Sequence, residues 1–140
     1  MLVKSFSEVV VGEQTCFSKT ITESDAALYM ATTGDFGPIH INNEYAKQTK
    51  FQGRLAPGIM VGAMGTSVLT NKLIGNKGVS IKDTFYFLGP IKYGDTIYAE
   101  IKITDKNPKK RTVNWESIFK NKNKDTVLKV LGEVKFPREK

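Results

Sequence analysis

The chain has 140 residues, of which 40% are hydrophobic and 25% are charged, and its formal net charge is +7. This length and ordinary globular composition predict one domain, residues 1–140, with a core large enough to need no disulfide. Cys16 is the only cysteine and His40 the only histidine, which excludes an internal disulfide and an ordinary structural zinc site.

The first half of the chain predicts one strand followed by helices. A first strand is expected over residues 14–20, bounded by Gly12. Thr22 is placed to cap a helix over residues 23–33, and Gly34 is typical of the position just after a helix end. A second short helix is expected after Asn42.

Residues 58–73 form the most apolar stretch of the chain. They carry one charge, near the end, and apolar residues fall on every helical face, which predicts a helix buried on all sides. Gly58, Gly62 and Gly65 each cost about 1 kcal/mol relative to alanine inside a helix. That cost is tolerable where another backbone or a ligand must come close, so we expect a central helix wrapped by a sheet.

The second half of the chain alternates with the period of strands. Turn signals separate four predicted strands at residues 93–95, 107–108 and 121–123. The inward-facing residues are expected to be Val79, Ile81, Phe85 and Phe87; Ile97, Ala99, Ile101 and Ile103; Val113, Trp115 and Phe119; and Leu128, Val130, Val134 and Phe136. An early strand, an apolar helix and this antiparallel meander predict an α+β hot-dog fold, a curled sheet around a central helix.

The basic residues indicate what kind of partner the protein could bind. They gather at predicted turns, in residues 106–111 and then at Lys120, Lys122 and Lys124. No aromatic residues or helix-turn-helix pattern accompany them, so we expect solvated turns or a field that attracts a small polyanion, and no nucleic acid. With no secretory signal, and no stretch near the roughly 18 apolar residues of a membrane span, we expect a cytoplasmic protein that does not bind a membrane.

A short Gly- and Pro-containing stretch brings a carboxylate near the only imidazole. Asp35 and His40 lie five residues apart, which on a regular helix would place them about 140° apart. Gly34, Gly37 and Pro38 favour a bent, non-helical loop that aims both side chains into one space. Sharing a water, they would form a general acid–base pair, although a structural histidine explains the same residues.

A second stretch, residues 54–58, leads into the apolar helix. The start of a helix offers unpaired backbone amides and a positive dipole end. Because Gly58 has no side chain, a ligand carbonyl could reach its amide, as in an oxyanion hole. A plain loop-to-helix junction, with Pro57 near the first turn, is the alternative.

Together these stretches resemble the MaoC-like, (R)-specific enoyl-CoA hydratase family. The resemblance covers roughly residues 10–136. It is carried by Tyr29, Gly34, Asp35, Pro38, Ile39, His40 and Ala46, by residues 51–60, and by Phe85, Phe87, Pro90, Gly94 and Asp95. It implies reversible hydration of a trans-2-enoyl-CoA, with a short acyl group, to the (R)-3-hydroxyacyl-CoA. It also implies a homodimer or higher homo-oligomer that needs no metal or organic cofactor.

The resemblance also assigns roles to residues. Asp35 and His40 would be the catalytic pair, and Gly58 would bind the thioester oxygen. Thr66 stands where the family often has a serine that supports the pair. In the supporting loops around Pro38, the chain departs from the family: Gly37 replaces the usual asparagine, and Pro57 replaces a frequent histidine.

Two other functions remain open at this stage. Hot-dog acyl-CoA thioesterases commonly place a carboxylate on or near the central helix, and residues 58–73 contain none, which counts against a thioesterase. The other function is a non-catalytic acyl-CoA-binding module. It is favoured only by Gly37, because the asparagine that this glycine replaces helps to fix the loop in the family.

Overall fold

A computed structural model describes residues 1–138 as a five-stranded antiparallel sheet curled around one long helix. The predicted hot-dog architecture is confirmed, and so are the predicted strand over residues 14–20 and helix over residues 23–33. The elements in chain order are β1 (Gln14–Thr20), α1 (Glu23–Thr33), α2 (Pro38–Ile41), α3 (Asn43–Lys47), α4 (Gly58–Leu69), a π-helical turn (Thr70–Ile74), β2 (Val79–Phe87), β3 (Thr96–Asn107), β4 (Thr112–Lys120) and β5 (Thr126–Lys135).

The strand order across the sheet is β1-β3-β4-β5-β2. Strands β3, β4 and β5 form the expected meander, but β2 crosses over to pair with β5, with Phe87 opposite Leu128. The expectation of one meander over all four later strands is therefore wrong for β2. Its outer backbone edge faces no other strand within residues 1–138, so β2 is an edge strand.

The concave face of the sheet supplies most of the core. The predicted inward rows of β3, β4 and β5 are confirmed, since all eleven side chains are buried: Ile97, Ala99, Ile101, Ile103, Val113, Trp115, Phe119, Leu128, Val130, Val134 and Phe136. Each strand alternates, so its other residues face outward. Helix α4 packs on this face, where the glycines allow rings to approach: Phe85 lies against Gly62 and Phe119 against Gly65.

The predicted inward row of β2 is only half correct. A bulge between Ser80 and Lys82 breaks the alternation that the sequence suggested. Phe85 and Phe87 face α4, but Val79 and Ile81 are 67% and 55% exposed. The edge strand therefore carries apolar side chains that the rest of residues 1–138 leaves exposed.

Helix α4 is not buried on all sides, contrary to the prediction. Met60, Val61 and Leu69 face the core, whereas Ile59 is half exposed and Ala63 and Ser67 are exposed as well. These three exposed residues are spaced four apart, so they share one face of the helix. A five-stranded sheet curls around only one side of the helix, and the other side stays open in a single chain.

Candidate active site

Helix α1 delivers Asp35 to the site. The helix begins with a reciprocal capping box between Thr22 and Asp25, and it ends at Gly34, which has a left-handed φ of 75°. The amide of Gly34 donates to the carbonyl of Met30 at 2.8 Å, which closes the helix. The chain then turns away, and Asp35 is the first residue after the turn.

His40 lies on a short helix, not on the irregular loop predicted for it. Pro38 occupies the first turn of α2, where its fixed φ suits a helix and its missing amide costs nothing. Within this turn the amide of His40 donates to the carbonyl of Gly37 at 2.9 Å. Pro38 disfavoured helix only for the residue before it, so the helix begins at the proline itself.

The bend between α1 and α2 brings Asp35 and His40 together, as the sequence suggested. The Nε2 atom of His40 lies 3.9 Å from Oδ2 of Asp35. The imidazole side chain is 16% exposed and the carboxylate 45% exposed. The gap is too long for a direct hydrogen bond and is narrow enough for one small molecule to contact both groups.

The other imidazole nitrogen is held by the backbone. Nδ1 of His40 lies 2.8 Å from the carbonyl oxygen of Leu55. A carbonyl only accepts, so Nδ1 carries a proton, and in the neutral ring Nε2 is then an acceptor that faces Asp35. This orientation is what a water-activating histidine requires.

Tyr93 supports the helix that carries His40, a role that sequence analysis missed. Its hydroxyl donates to the carbonyl of His40 at 2.9 Å. The guanidinium of Arg54 lies 5.2 Å from the centre of the Tyr93 ring and forms an ion pair with Glu23 on α1. Burial raises the pKa of Tyr93, so its hydroxyl keeps its proton as a donor. The sequence marked residues 93–95 only as a turn, and nothing local pointed to His40, 53 residues away.

Gly58 opens onto a cavity that it shares with His40. The cavity has a volume of about 180 Å³, and its wall also includes Leu55, Phe87 and Leu128. A Cβ on Gly58 would lie 2.7 Å from two carbon atoms of the Phe87 ring, so only glycine fits under that ring without displacement. The first amides of α4 have no partner inside the helix, and a ligand in this cavity would reach them beside the imidazole.

The remaining predicted residues differ in how close they lie to the pair. A Cβ on Gly37 would lie 3.4 Å from Cδ2 of His40 and 3.5 Å from Oδ1 of Asp35, so Gly37 is in the site. Pro57 is the residue before α4 and holds an extended conformation. Thr66 lies eight residues into that helix, and within residues 1–138 its hydroxyl makes no hydrogen bond to Asp35 or His40. A supporting role for Thr66 therefore stays a prediction.

Residues 1–138 contain neither a cluster of metal ligands nor a membrane-spanning helix. Across residues 1–138, no three His, Cys, Asp or Glu side chains are grouped so that they could hold a metal ion. None of the helices in that part of the chain is both long enough and apolar enough to cross a membrane.

Comparison with known proteins places this geometry in a family. Residues 8–124 match the family model of the MaoC-like domain. An (R)-specific enoyl-CoA hydratase of Rhodospirillum rubrum is 29% identical over 117 residues, which span 84% of this chain and 81% of the relative. A 3-hydroxybutyryl-CoA dehydratase of Methylorubrum extorquens is 30% identical over 106 residues, 76% of this chain and 68% of the relative. The unliganded structure of R-hydratase PhaJ1 from Pseudomonas aeruginosa superposes with a TM-score of 0.84 at 29% identity, covering 96% of this chain and 86% of that one.

Proposed function

The chain belongs to the family of MaoC-like domains, and from that premise we propose that it is a hydro-lyase acting on enoyl-CoA thioesters. It adds water reversibly across the double bond of a trans-2-enoyl-CoA to give the (R)-3-hydroxyacyl-CoA. Two relatives bear the names of (R)-specific hydratases and a third that of a dehydratase, the reverse reaction. One observation carries the proposal: Gly58 and His40 line the same cavity, and the carboxylate of Asp35 lies 3.9 Å from the imidazole.

The substrate carbonyl is bound first. The thioester oxygen accepts a hydrogen bond from the amide of Gly58, at the positive end of α4. This contact draws electron density from the conjugated double bond and makes C3 electrophilic. It is strongest when the oxygen becomes an enolate, so it stabilises the transition state more than the ground state.

Water is held between two acceptors. One hydrogen points to the carboxylate of Asp35 and the other to Nε2 of His40, which the Leu55 carbonyl keeps unprotonated in the neutral ring. The oxygen lone pair is then free to attack C3. As the O–C3 bond forms, Asp35 takes one proton of the water, and the π electrons move to the thioester oxygen.

The second step returns the proton. The protonated Asp35 gives its proton to C2, the enolate collapses to the thioester, and the carboxylate is regenerated. The oxygen and the proton reach the same face of the double bond because both come from one water held by the pair. The thioester itself makes C2 acidic, so the proposed reaction needs no metal or organic cofactor.

The size of the cavity supports a short acyl chain. Its volume of about 180 Å³ is below the roughly 300 Å³ at which pockets for drug-sized ligands begin. Leu55, Ala56, Val127 and Leu128 give it an apolar wall. We propose four-carbon substrates such as crotonyl-CoA as the first to test.

We also propose that the working form is a homodimer formed through β2. The strand has an open edge and carries the exposed apolar side chains Val79, Ile81 and Phe87, and α4 has an exposed face of its own. Pairing with a second copy would cover both. Ile81→Lys should then reduce the mass measured by light scattering to that of one chain. Tyr98→Lys, on the outer face of β3, should leave the dimer intact, and a monomeric unsubstituted protein would refute the dimer.

The hydratase activity is tested by following the enoyl absorbance of crotonyl-CoA. Asp35→Asn and His40→Gln should each lower turnover by at least about 100-fold, the low end for acid–base groups. Glu44→Gln removes the same charge as Asp35→Asn from an exposed site on α3 and should keep normal turnover. Chiral analysis of the product should find the (R) isomer.

Two outcomes would reject this function. Near-normal turnover in both the Asp35 and the His40 variants would remove the pair from the reaction. Release of free thiol from butyryl-CoA, which has no double bond to hydrate, would indicate a thioesterase instead.

A further inference from the structure

A strongly basic groove lies at the end of the sheet far from Asp35 and His40. It has a volume of about 380 Å³ and is formed by the start of β2, the β3–β4 turn and the carboxyl-terminal segment. No carboxylate among residues 1–138 lines it. Six of the lining residues in that range are cationic: Lys77, Lys109, Lys110, Arg111, Lys135 and Arg138. Cations brought together from three separate segments repel one another unless an anion binds between them.

Backbone contacts hold parts of this array in place. Nε of Arg111 donates to the carbonyl of Pro137 at 2.9 Å, and its guanidinium stacks 5.1 Å from the centre of the Phe6 ring. Nζ of Lys135 donates to the carbonyl of Lys110. Arg111 and Lys135 are thus held in place before any ligand arrives, which lowers the cost of binding a multiply charged anion. Val79 and Ile81, at the start of β2, border the groove on its apolar side.

Within one chain the groove is remote from the proposed active site. The groove borders Val79 at the start of β2, and the active-site cavity borders Phe87 at its end. Val79 and Phe87 are eight residue steps apart along β2, which is about 26 Å at roughly 3.3 Å per residue.

A second copy changes this distance. When two identical strands pair antiparallel about a two-fold axis, the start of each lies beside the end of the other. If the open β2 edges pair near their middle, the groove of one copy lies beside the Phe87 end of its partner. The basic groove and the cavity with Gly58 then become neighbours across the interface.

We propose that the basic groove binds the phosphate groups of the coenzyme A thioester whose acyl group occupies the active site of the partner copy. The inference rests on the proposed hydratase function and on pairing through β2. Coenzyme A carries its charge as a pyrophosphate and a 3′-phosphate, which suits several lysines and an arginine.

A comparison of two substrates tests the contact with phosphate. Lys109→Gln/Lys110→Gln and the control Lys102→Glu both lower the net charge from +7 to +5, and Lys102 is an exposed residue on β3 outside the groove. The double variant should raise KM for crotonyl-CoA about tenfold with little change in kcat. It should not affect hydration of the N-acetylcysteamine thioester of crotonate, which has no phosphate. Equal effects on both thioesters, or equal effects of both variants, would overturn the proposal.

A mixed dimer tests whether the groove acts across the interface. One chain carries Asp35→Asn and the other carries Lys109→Gln/Lys110→Gln, so the only active site belongs to the chain with the damaged groove. If the partner supplies the groove, this dimer should have the KM of the unsubstituted protein for crotonyl-CoA. The raised KM of the double variant would refute the arrangement.

Direct binding separates this inference from the proposed function. Adenosine 3′,5′-bisphosphate, a fragment of coenzyme A, should bind the unsubstituted protein and bind the Lys109→Gln/Lys110→Gln variant about tenfold more weakly, whether or not the protein hydrates crotonyl-CoA. Unchanged binding in the double variant would overturn the groove as a phosphate site. A groove that retained duplex DNA in a salt-dependent manner but not the bisphosphate would indicate a nucleic-acid site and refute our assignment.

Discussion

The Nδ1 atom of His40 lies 2.8 Å from the carbonyl oxygen of Leu55, 15 residues further along the chain. The connection is reciprocal, because the amide of Leu55 donates to the carbonyl of Ile39 at 3.1 Å. Backbone groups on two segments thus fix both the position of α2 and the proton on the imidazole. No side chain at residue 55 is needed for either bond, so the tautomer of His40 depends on the fold and not on residue type.

Removing the Tyr93 hydroxyl should loosen His40 without unfolding the protein. Tyr93→Phe loses the 2.9 Å bond to the His40 carbonyl, a bond worth about 1 kcal/mol. We expect kcat for crotonyl-CoA to fall about fivefold while KM changes little, since the hydroxyl acts through the imidazole and not on the substrate. Tyr98→Phe, at an exposed position on β3, is the matched control. A parallel loss of thermal stability and activity would indicate a purely structural role.

A methyl group at residue 58 should block the bound thioester oxygen. Gly58→Ala places a carbon 2.7 Å from the ring of Phe87, so the ring must shift. We expect kcat/KM to fall about tenfold or more because the amide is shielded. The same substitution in a Phe87→Leu background distinguishes the causes. If Gly58→Ala lowers kcat/KM by a similar factor in that background, shielding of the amide is supported. If it no longer lowers kcat/KM, the displaced ring of Phe87 was responsible.

Two glycines in the same loop should respond oppositely to alanine. Gly37 has a φ of −53° and room for a Cβ, so Gly37→Ala should stabilise the fold by about 0.4–1 kcal/mol through the unfolded chain. Gly34 has a φ of 75°, where alanine is strained by about 1–2 kcal/mol, so Gly34→Ala should destabilise it. Denaturant unfolding measures both changes. A loss of stability in both variants would contradict this account of Gly37.

The carboxyl of Asp83 should make stability depend on pH. Asp83 lies opposite Gly132 near the indole of Trp115, and burial raises its pKa above 3.8. A raised pKa means that the folded protein binds this proton more tightly, so the group weakens folding as the pH rises through that pKa. Asp83→Asn should therefore unfold at a higher temperature than the unsubstituted protein at pH 7.

Measuring the unfolding temperature at several pH values tests whether the charge of Asp83 destabilises the fold. The advantage of Asp83→Asn should shrink as the pH falls and should vanish below 3.8, where the carboxyl becomes protonated in both the folded and the unfolded state. Asp105→Asn removes the same charge from an exposed position on β3 and gives the baseline. An advantage that is the same at every pH would have to come from the amide itself and not from the charge.

Local sequence determined the elements and the chemistry they carry. Thr22 and Gly34 mark the two ends of α1 because capping and left-handed backbone are properties of single residues. The alternation in β3 to β5 identified the buried rows, since a pleated strand has a fixed period of two. Asp35 and His40 could be named as a pair because the bend that joins them lies within six consecutive residues.

Only the tertiary structure decided what depends on residues distant in sequence. The sequence could not show that β2 crosses to the edge beside β5, that Tyr93 and Leu55 hold His40, or that six cations from three segments line one groove. Each of these relationships is set by strand pairing over long separations, and periodicity within one segment carries no information about its partner. The alternation of the sequence also predicted, wrongly, that Val79 and Ile81 face inward. The bulge and the open edge that expose them are properties of the assembled sheet.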